Sequence, residues 1–188
     1  NDNTMVGYFA GVALTTGASN TAVGSYALDA ATTGTWHTAV GYNALGAITT
    51  GNNGTAFGYN ALAAATVGDN TAIGTQALLS NTSGTRNTAL GQSSLDANTT
   101  GNQNTAVGQA ALGANTTGAD NTAVGMYSLD ANTTASSNTA IGKSAMGNST
   151  TATGNVAVGY QAMSSGTQGD YSTAVGHNAL YTNTGGSN

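Results

Sequence analysis

The sequence predicts an all-β chain, a parallel β-solenoid (β-roll) of eleven coils of about 17 residues each. Three observations predict it. Glycine recurs at Gly7, Gly24, Gly41, Gly58, Gly74, Gly91, Gly108, Gly125, Gly142, Gly159 and Gly176, always 17 residues apart except for one interval of 16. Each of these glycines ends a copy of N-T-A-V-G and opens a copy of x-x-A-L. A repeat this short cannot bury its own apolar face, so the copies must stack on each other. Finally, Gly and Thr recur in every copy. Each such site costs a helix roughly 0.5–1 kcal/mol, and a unit this short cannot hold a helix pair.

Asn20 to Trp36 serves as the reference coil, with Asn20 at position one and Trp36 at position seventeen. T-A-V at positions two to four is a short strand. The glycine at position five stops it at a corner, where positive φ or a close backbone approach is needed. The x-x-A-L segment reads as a second extended piece, and T-T-G-x-x as the turn back to the next coil. Strands then stack in columns about 4.8 Å apart. Asn at position one suits an Asn ladder between coils. The whole chain, residues 1–188, is one array without an internal linker, read as a segment of a longer fibre.

Position four is apolar in every copy. Val23, Val40, Phe57, Ile73, Leu90, Val107, Val124, Ile141, Val158 and Val175 are accordingly read as one interior column. Leu28, Leu45, Leu78, Leu95, Leu112 and Leu129 at position nine form another. The first copy has Gly11 there, with Val12 or Leu14 as the replacement. Positions three and four point to opposite faces of a strand. With Val inside, the nearly constant Ala from Ala22 to Ala174 would face outward. Its constancy then implies a close neighbour: side-by-side association of identical chains, most simply a threefold bundle. In the 16-residue copy the lost residue is expected in the spacer at Gly68-Asp69, because a loss inside a strand would turn side chains to the wrong face. Phe57, in the same copy, would then need a local widening of the coil.

Composition closes off several function classes. Charged residues are 5 % of the chain, against roughly 25 % in ordinary soluble domains. The net charge is −5, with Arg86 and Lys143 as the two side-chain cations. Nucleic acid needs clustered Lys and Arg, so it is not an expected partner. No apolar run approaches the roughly 20 residues of a membrane span. With no cysteine there is no disulfide framework and no thiolate zinc site. Two histidines, His37 and His177, are the main raw material for proton transfer. Both read as surface substitutions, and no nucleophile–base–orienter set is evident. No phosphate-binding G-x-x-x-x-G-K-[ST] and no calcium-binding G-G-x-G-x-D occurs. The expectation is a non-enzyme with no cofactor, no metal site and no catalytic residue.

The N-T-A-V-G-x-x-A-L repeat resembles those of phage tail-fibre proteins. More loosely, it resembles the N-S-V-A-I-G repeats in the heads of trimeric autotransporter adhesins. The resemblance covers the chain from Asn3 to Asn188. It implies a left-handed β-roll assembled as a homotrimer on a virion or cell surface. The strand motif here is one residue shorter than in the adhesins and the period slightly longer.

Position six varies freely and reads as solvent-facing. Tyr8, Tyr42, Tyr59 and Tyr160 on it are candidate contacts for a cell-surface glycan, against the plainer reading of solvated filler or a chain–chain contact. The recurrent Thr-Thr pair offers a regular array of the kind that suits ice, against the plainer reading of a turn bonding its own backbone. Asn53, Asn81, Asn98, Asn115, Asn132 and Asn148 head N-x-[ST] sequons, which also arise by chance in such a composition. The leading expectation is an extracellular structural and adhesive fibre segment, a rigid shaft with surface glycan binding. The alternatives are a subunit of an end-to-end extracellular filament, matrix or pilus-like, and an ice-binding solenoid.

Overall fold

The computed structural model describes residues 2–165 and 169–182. The strands are β1 (Thr4–Val6), β2 (Thr21–Val23), β3 (Thr38–Val40), β4 (Thr55–Phe57), β5 (Thr71–Ile73), β6 (Thr88–Leu90), β7 (Thr105–Val107), β8 (Thr122–Val124), β9 (Thr139–Ile141), β10 (Val156–Val158) and β11 (Thr173–Val175). They form one 11-stranded parallel sheet in sequence order. Each residue pairs with its repeat equivalent, as in Thr21↔Thr38, Ala22↔Ala39 and Val23↔Val40. The fold is a parallel β-solenoid, and the described residues contain no helix. The expected fold class holds.

All eleven glycines of position five stand at the corner after the strand, with φ between 129° and 144°. A Cβ on Gly24 would also lie 2.5 Å from the Gly41 carbonyl oxygen of the next coil. Backbone conformation and close approach thus both demand glycine here. Three further positions take left-handed backbone, seven, nine and seventeen, mostly without glycine, as at Tyr26 (φ 59°), Leu28 (φ 55°) and Trp36 (φ 59°); Gly11 and Gly154 are the glycines among them. These bends let one coil close in so few residues.

The inside of the coil is narrow, and this reverses the predicted side-chain parity. Ala22, Ala39, Ala56, Ala72, Ala89, Ala106, Ala123, Ala140 and Ala157 are fully buried, and Ala174 nearly so. The Ala stripe is therefore core, not a face against another chain. Position four points outward. Val23, Phe57, Ile73, Leu90, Ile141 and Val175 are exposed, and Val40, Val107, Val124 and Val158 are half-buried. The interior column expected at these ten residues is overturned. The reason is steric: the middle residue of a three-residue strand points in, toward the position-nine Leu, and across so thin a tube the methyl of Ala fits. Phe57 consequently needs no widening of the coil.

The Leu column stands as expected. Leu28, Leu45, Leu62, Leu78, Leu95, Leu112 and Leu129 are fully buried, continued by Met146 and Met163. In the first coil, Leu14 packs against the core, as does Met5, the one departure from Ala at position three. A Cβ on Gly11 would lie 2.5 Å from the Met5 sulfur and 3.0 Å from Leu14 Cδ1. Met5 and Leu14 together fill the space of the missing Leu, while Val12 is exposed.

The short copy keeps its register. β4 and β5 pair as Thr55↔Thr71, Ala56↔Ala72 and Phe57↔Ile73, so the lost residue falls in the spacer. There Thr66 N–H donates to Thr82 O (3.0 Å) and Asp69 N–H to Asn52 O (3.0 Å), so positions thirteen and seventeen hold their places. The tightened turn leaves no room at Gly68, where a Cβ would overlap the Asn52 carbonyl.

Candidate functional site

Two ladders of asparagine hold the coils together. At position one, Asn20 Nδ2 donates to Gly34 O (2.9 Å), closing its own coil, while its Oδ1 accepts the His37 N–H (2.8 Å) of the next. Asn87, Asn104 and Asn121 repeat both bonds. At position twelve, Asn98 Nδ2 donates to Asn81 Oδ1 (2.8 Å), Asn115 to Asn98 (2.9 Å) and Asn132 to Asn115 (2.8 Å). The ladder stops at Ser149, leaving Asn132 Oδ1 and Ser149 Oγ buried without partners.

His37 was expected at the surface but is buried. Its Nε2 lies 2.7 Å from Gly51 O, and the Gly54 N–H donates to its Nδ1 (3.1 Å). A carbonyl needs a donor and an N–H needs an acceptor, so the ring is neutral with its proton on Nε2. It reproduces the donor and acceptor of the Asn it replaces. The larger ring also explains Gly54, where a Cβ would lie 2.9 Å from His37 Nδ1. Burial pulls this imidazole below its ordinary value; the Gly51 carbonyl opposes the shift. The Gly54 N–H can be met only by the unprotonated Nδ1, so it too favours the neutral ring.

The outer surface carries the remaining candidates. Tyr8, Tyr42, Tyr59 and Tyr160 are exposed at position six. Each has another ring beside it. Tyr42 stacks on Tyr59 (centroids 5.6 Å, 18°) and Tyr160 on His177 (5.1 Å, 17°). Tyr8, Phe9, Tyr26 and Tyr42 continue as a run of edge and stacked contacts. In the spacer, the first Thr of the Thr-Thr pair spends its hydroxyl on the next coil, as in Thr99 Oγ1 to Thr116 O (3.0 Å). Of the sequons, Asn81, Asn98, Asn115 and Asn132 are buried in the ladder, and Asn53 and Asn148 are exposed. The first four were legible as ladder residues only through the turn geometry that points them inward.

The outward face of the sheet is its most regular surface. Position four forms an apolar column along all eleven strands, flanked by the column of position two, Thr in every strand but β10. Among the described residues, no group of three or more His, Cys, Asp or Glu could hold a metal ion, and no helix is long and apolar enough to cross a membrane. No known family, no curated protein and no solved structure matches the chain.

Proposed function

We propose that this chain is a non-enzymatic shaft segment of an extracellular fibre, in which identical chains pack side by side through the Thr/Val face of the sheet. The single observation that carries the proposal is the apolar position-four column, with Phe57 55 % and Leu90 44 % exposed. Monomeric proteins rarely expose contiguous apolar patches beyond a few hundred Å². Eleven stacked strands carry this stripe over about 50 Å. The constancy of both columns is then explained: Ala faces the tube, and the β-branched residues face a neighbour. Near-absence of charge suits stacked identical coils, since like charges one rung apart repel.

A homotrimer wound left-handed is the arrangement that the repeat's resemblance favours. Light scattering of the purified chain tests it: a monodisperse trimer is expected, and a monodisperse monomer overturns it. Indefinite fibres in electron micrographs would support the end-to-end filament instead. The ice-binding reading is weakened because the first Thr column is committed to backbone carbonyls.

A further inference from the structure

Four of the eight tyrosines stand on the first four coils, Tyr8, Tyr42 and Tyr59 at position six and Tyr26 at position seven. Their rings follow one another along the solenoid. Centroids are 5.7 Å apart for Tyr8 and Tyr26, 5.8 Å for Tyr26 and Tyr42, and 5.6 Å for Tyr42 and Tyr59. The first two contacts are edge-on, at 83° and 71°, and the last is stacked, at 18°. The backbone fixes this last pair. The Asn60 N–H donates to Tyr42 O (3.0 Å) and the Gln76 N–H to Tyr59 O (2.9 Å). One residue further on, Asn43 Nδ2 donates to Asn60 Oδ1 (3.0 Å) and ties the same two coils again. Both phenols remain accessible, 49 % and 51 % exposed. Among the described residues, the other four tyrosines make no ring contact with a tyrosine; Tyr160 stacks on His177 instead.

We infer that Tyr42 and Tyr59 form a site of oxidative modification, where one-electron oxidation joins the two rings as dityrosine and ties the third coil to the fourth. The co-reactant is a haem peroxidase with hydrogen peroxide. It takes one electron from each phenol while the phenolic proton passes to water, leaving two phenoxyl radicals with unpaired spin on the oxygen and the ortho carbons. The radicals combine through one ortho carbon each, forming a C–C bond. Each of those carbons then passes its hydrogen to its own ring oxygen, and both rings regain aromaticity. In balance, two tyrosines and one hydrogen peroxide give one dityrosine and two waters. Coupling competes with loss of the radicals to other partners, so proximity and orientation decide the yield. Residues on successive rungs stand about 4.8 Å apart, and rings that are already nearly parallel need only a small slide to meet at their ortho carbons. The edge-on pairs would first have to turn a ring through most of a right angle. No cysteine is present in the chain to return a hydrogen atom to a radical. The link would close the chain between residues 42 and 59 and persist in the unfolded state, constraining it as a disulfide does.

The inference goes beyond the shaft reading and does not depend on it, because both rings belong to one chain. The full chain, kept dilute, is treated with a haem peroxidase and hydrogen peroxide, then unfolded and digested with trypsin. Cleavage after Arg86 and Lys143, the only tryptic residues, separates the four tyrosines of residues 1–86 from Tyr127 in 87–143 and from the other three in 144–188. Dityrosine fluorescence and the loss of two hydrogens by mass spectrometry are expected in 1–86, from chains that still run singly on a denaturing gel. Tyr42→Phe and Tyr59→Phe each keep a stacked ring, so the coil should fold, and each should remove the link. Tyr8→Phe should leave it in place. The inference is overturned by an absence of dityrosine, by links that form only between chains, or by an equal yield in 144–188. It is equally overturned by a link that survives in Tyr42→Phe or Tyr59→Phe, or is lost in Tyr8→Phe. A chain found to be monomeric leaves the result equally readable.

Discussion

A single imidazole shows how tightly each residue of a coil is specified. His37 satisfies two backbone groups that Asn satisfies elsewhere, and it can do so only when neutral. Its folded-state value lies below the ordinary one of about 6.5, while in the unfolded chain that ordinary value applies. The unfolded state therefore binds the proton first as the pH falls. Stability is complete above about pH 6.5, is lost as the pH drops below it, and levels off below the folded-state value. Melting temperatures measured between pH 7.5 and 5 should fall for the native chain and fall less for His37→Asn, whose side chain bonds Gly51 and Gly54 without titrating. Asp96 and Asp130 act with the opposite sign, since burial raises both carboxyls and their protonation favours the fold, but they are common to both proteins and cancel in the comparison. Equal pH dependence of the two would remove His37 from the account. The sequence shows the His at position one; that the position points inward is a matter of backbone geometry the repeat pattern does not display.

At the scale of the coil, side-chain ladders and backbone corners do most of the specifying. The position-twelve ladder ends with a buried acceptor on Asn132 and an unpartnered Ser149 hydroxyl. Ser149→Asn would place an Nδ2 where Asn115 and Asn132 already have theirs, donating to Asn132 Oδ1. A buried hydrogen bond restored in this way is worth about 1 kcal/mol, so chemical denaturation should shift to higher midpoint with unchanged slope. An unchanged or lowered midpoint would mean that the ladder cannot extend past Asn132. The corners make a sharper contrast. A Cβ on Gly91 would lie 2.5 Å from Gly108 O, whereas on Gly176 the nearest atom among the described residues is the Ala179 Cβ at 3.9 Å. Both have φ near 130° (136° and 129°), so Gly→Ala strains the backbone equally at each. Gly91→Ala should destabilise more than Gly176→Ala, because it also separates two coils. Equal melting temperatures would show that φ alone explains the invariant glycine.

For the whole molecule, period, columns and register were legible in the sequence, and parity was not. Repetition at 17 residues dictates stacking, and the 16-residue interval could be placed in the spacer because a turn absorbs a deletion that a strand cannot. The Leu column followed from its constancy. Apolarity alone places the Val of the T-A-V strand inside, whereas the tube is too thin for Val opposite Leu and accepts Ala. Parity also makes the assembly testable, since adjacent residues of β8 should respond in opposite ways to the same charge. Ala123 is fully buried in the tube, and Ala123→Asp would place a carboxylate there without a partner, a cost of several kcal/mol; loss of the β-sheet circular dichroism signal is expected. Val124 points outward and is half-buried. Val124→Asp with Val107→Asp should keep that signal and lower the mass seen by light scattering to that of one chain, because two carboxylates would then face the neighbouring sheet. If the double variant keeps the native mass, the chains meet through another face and the Thr/Val column serves some other purpose.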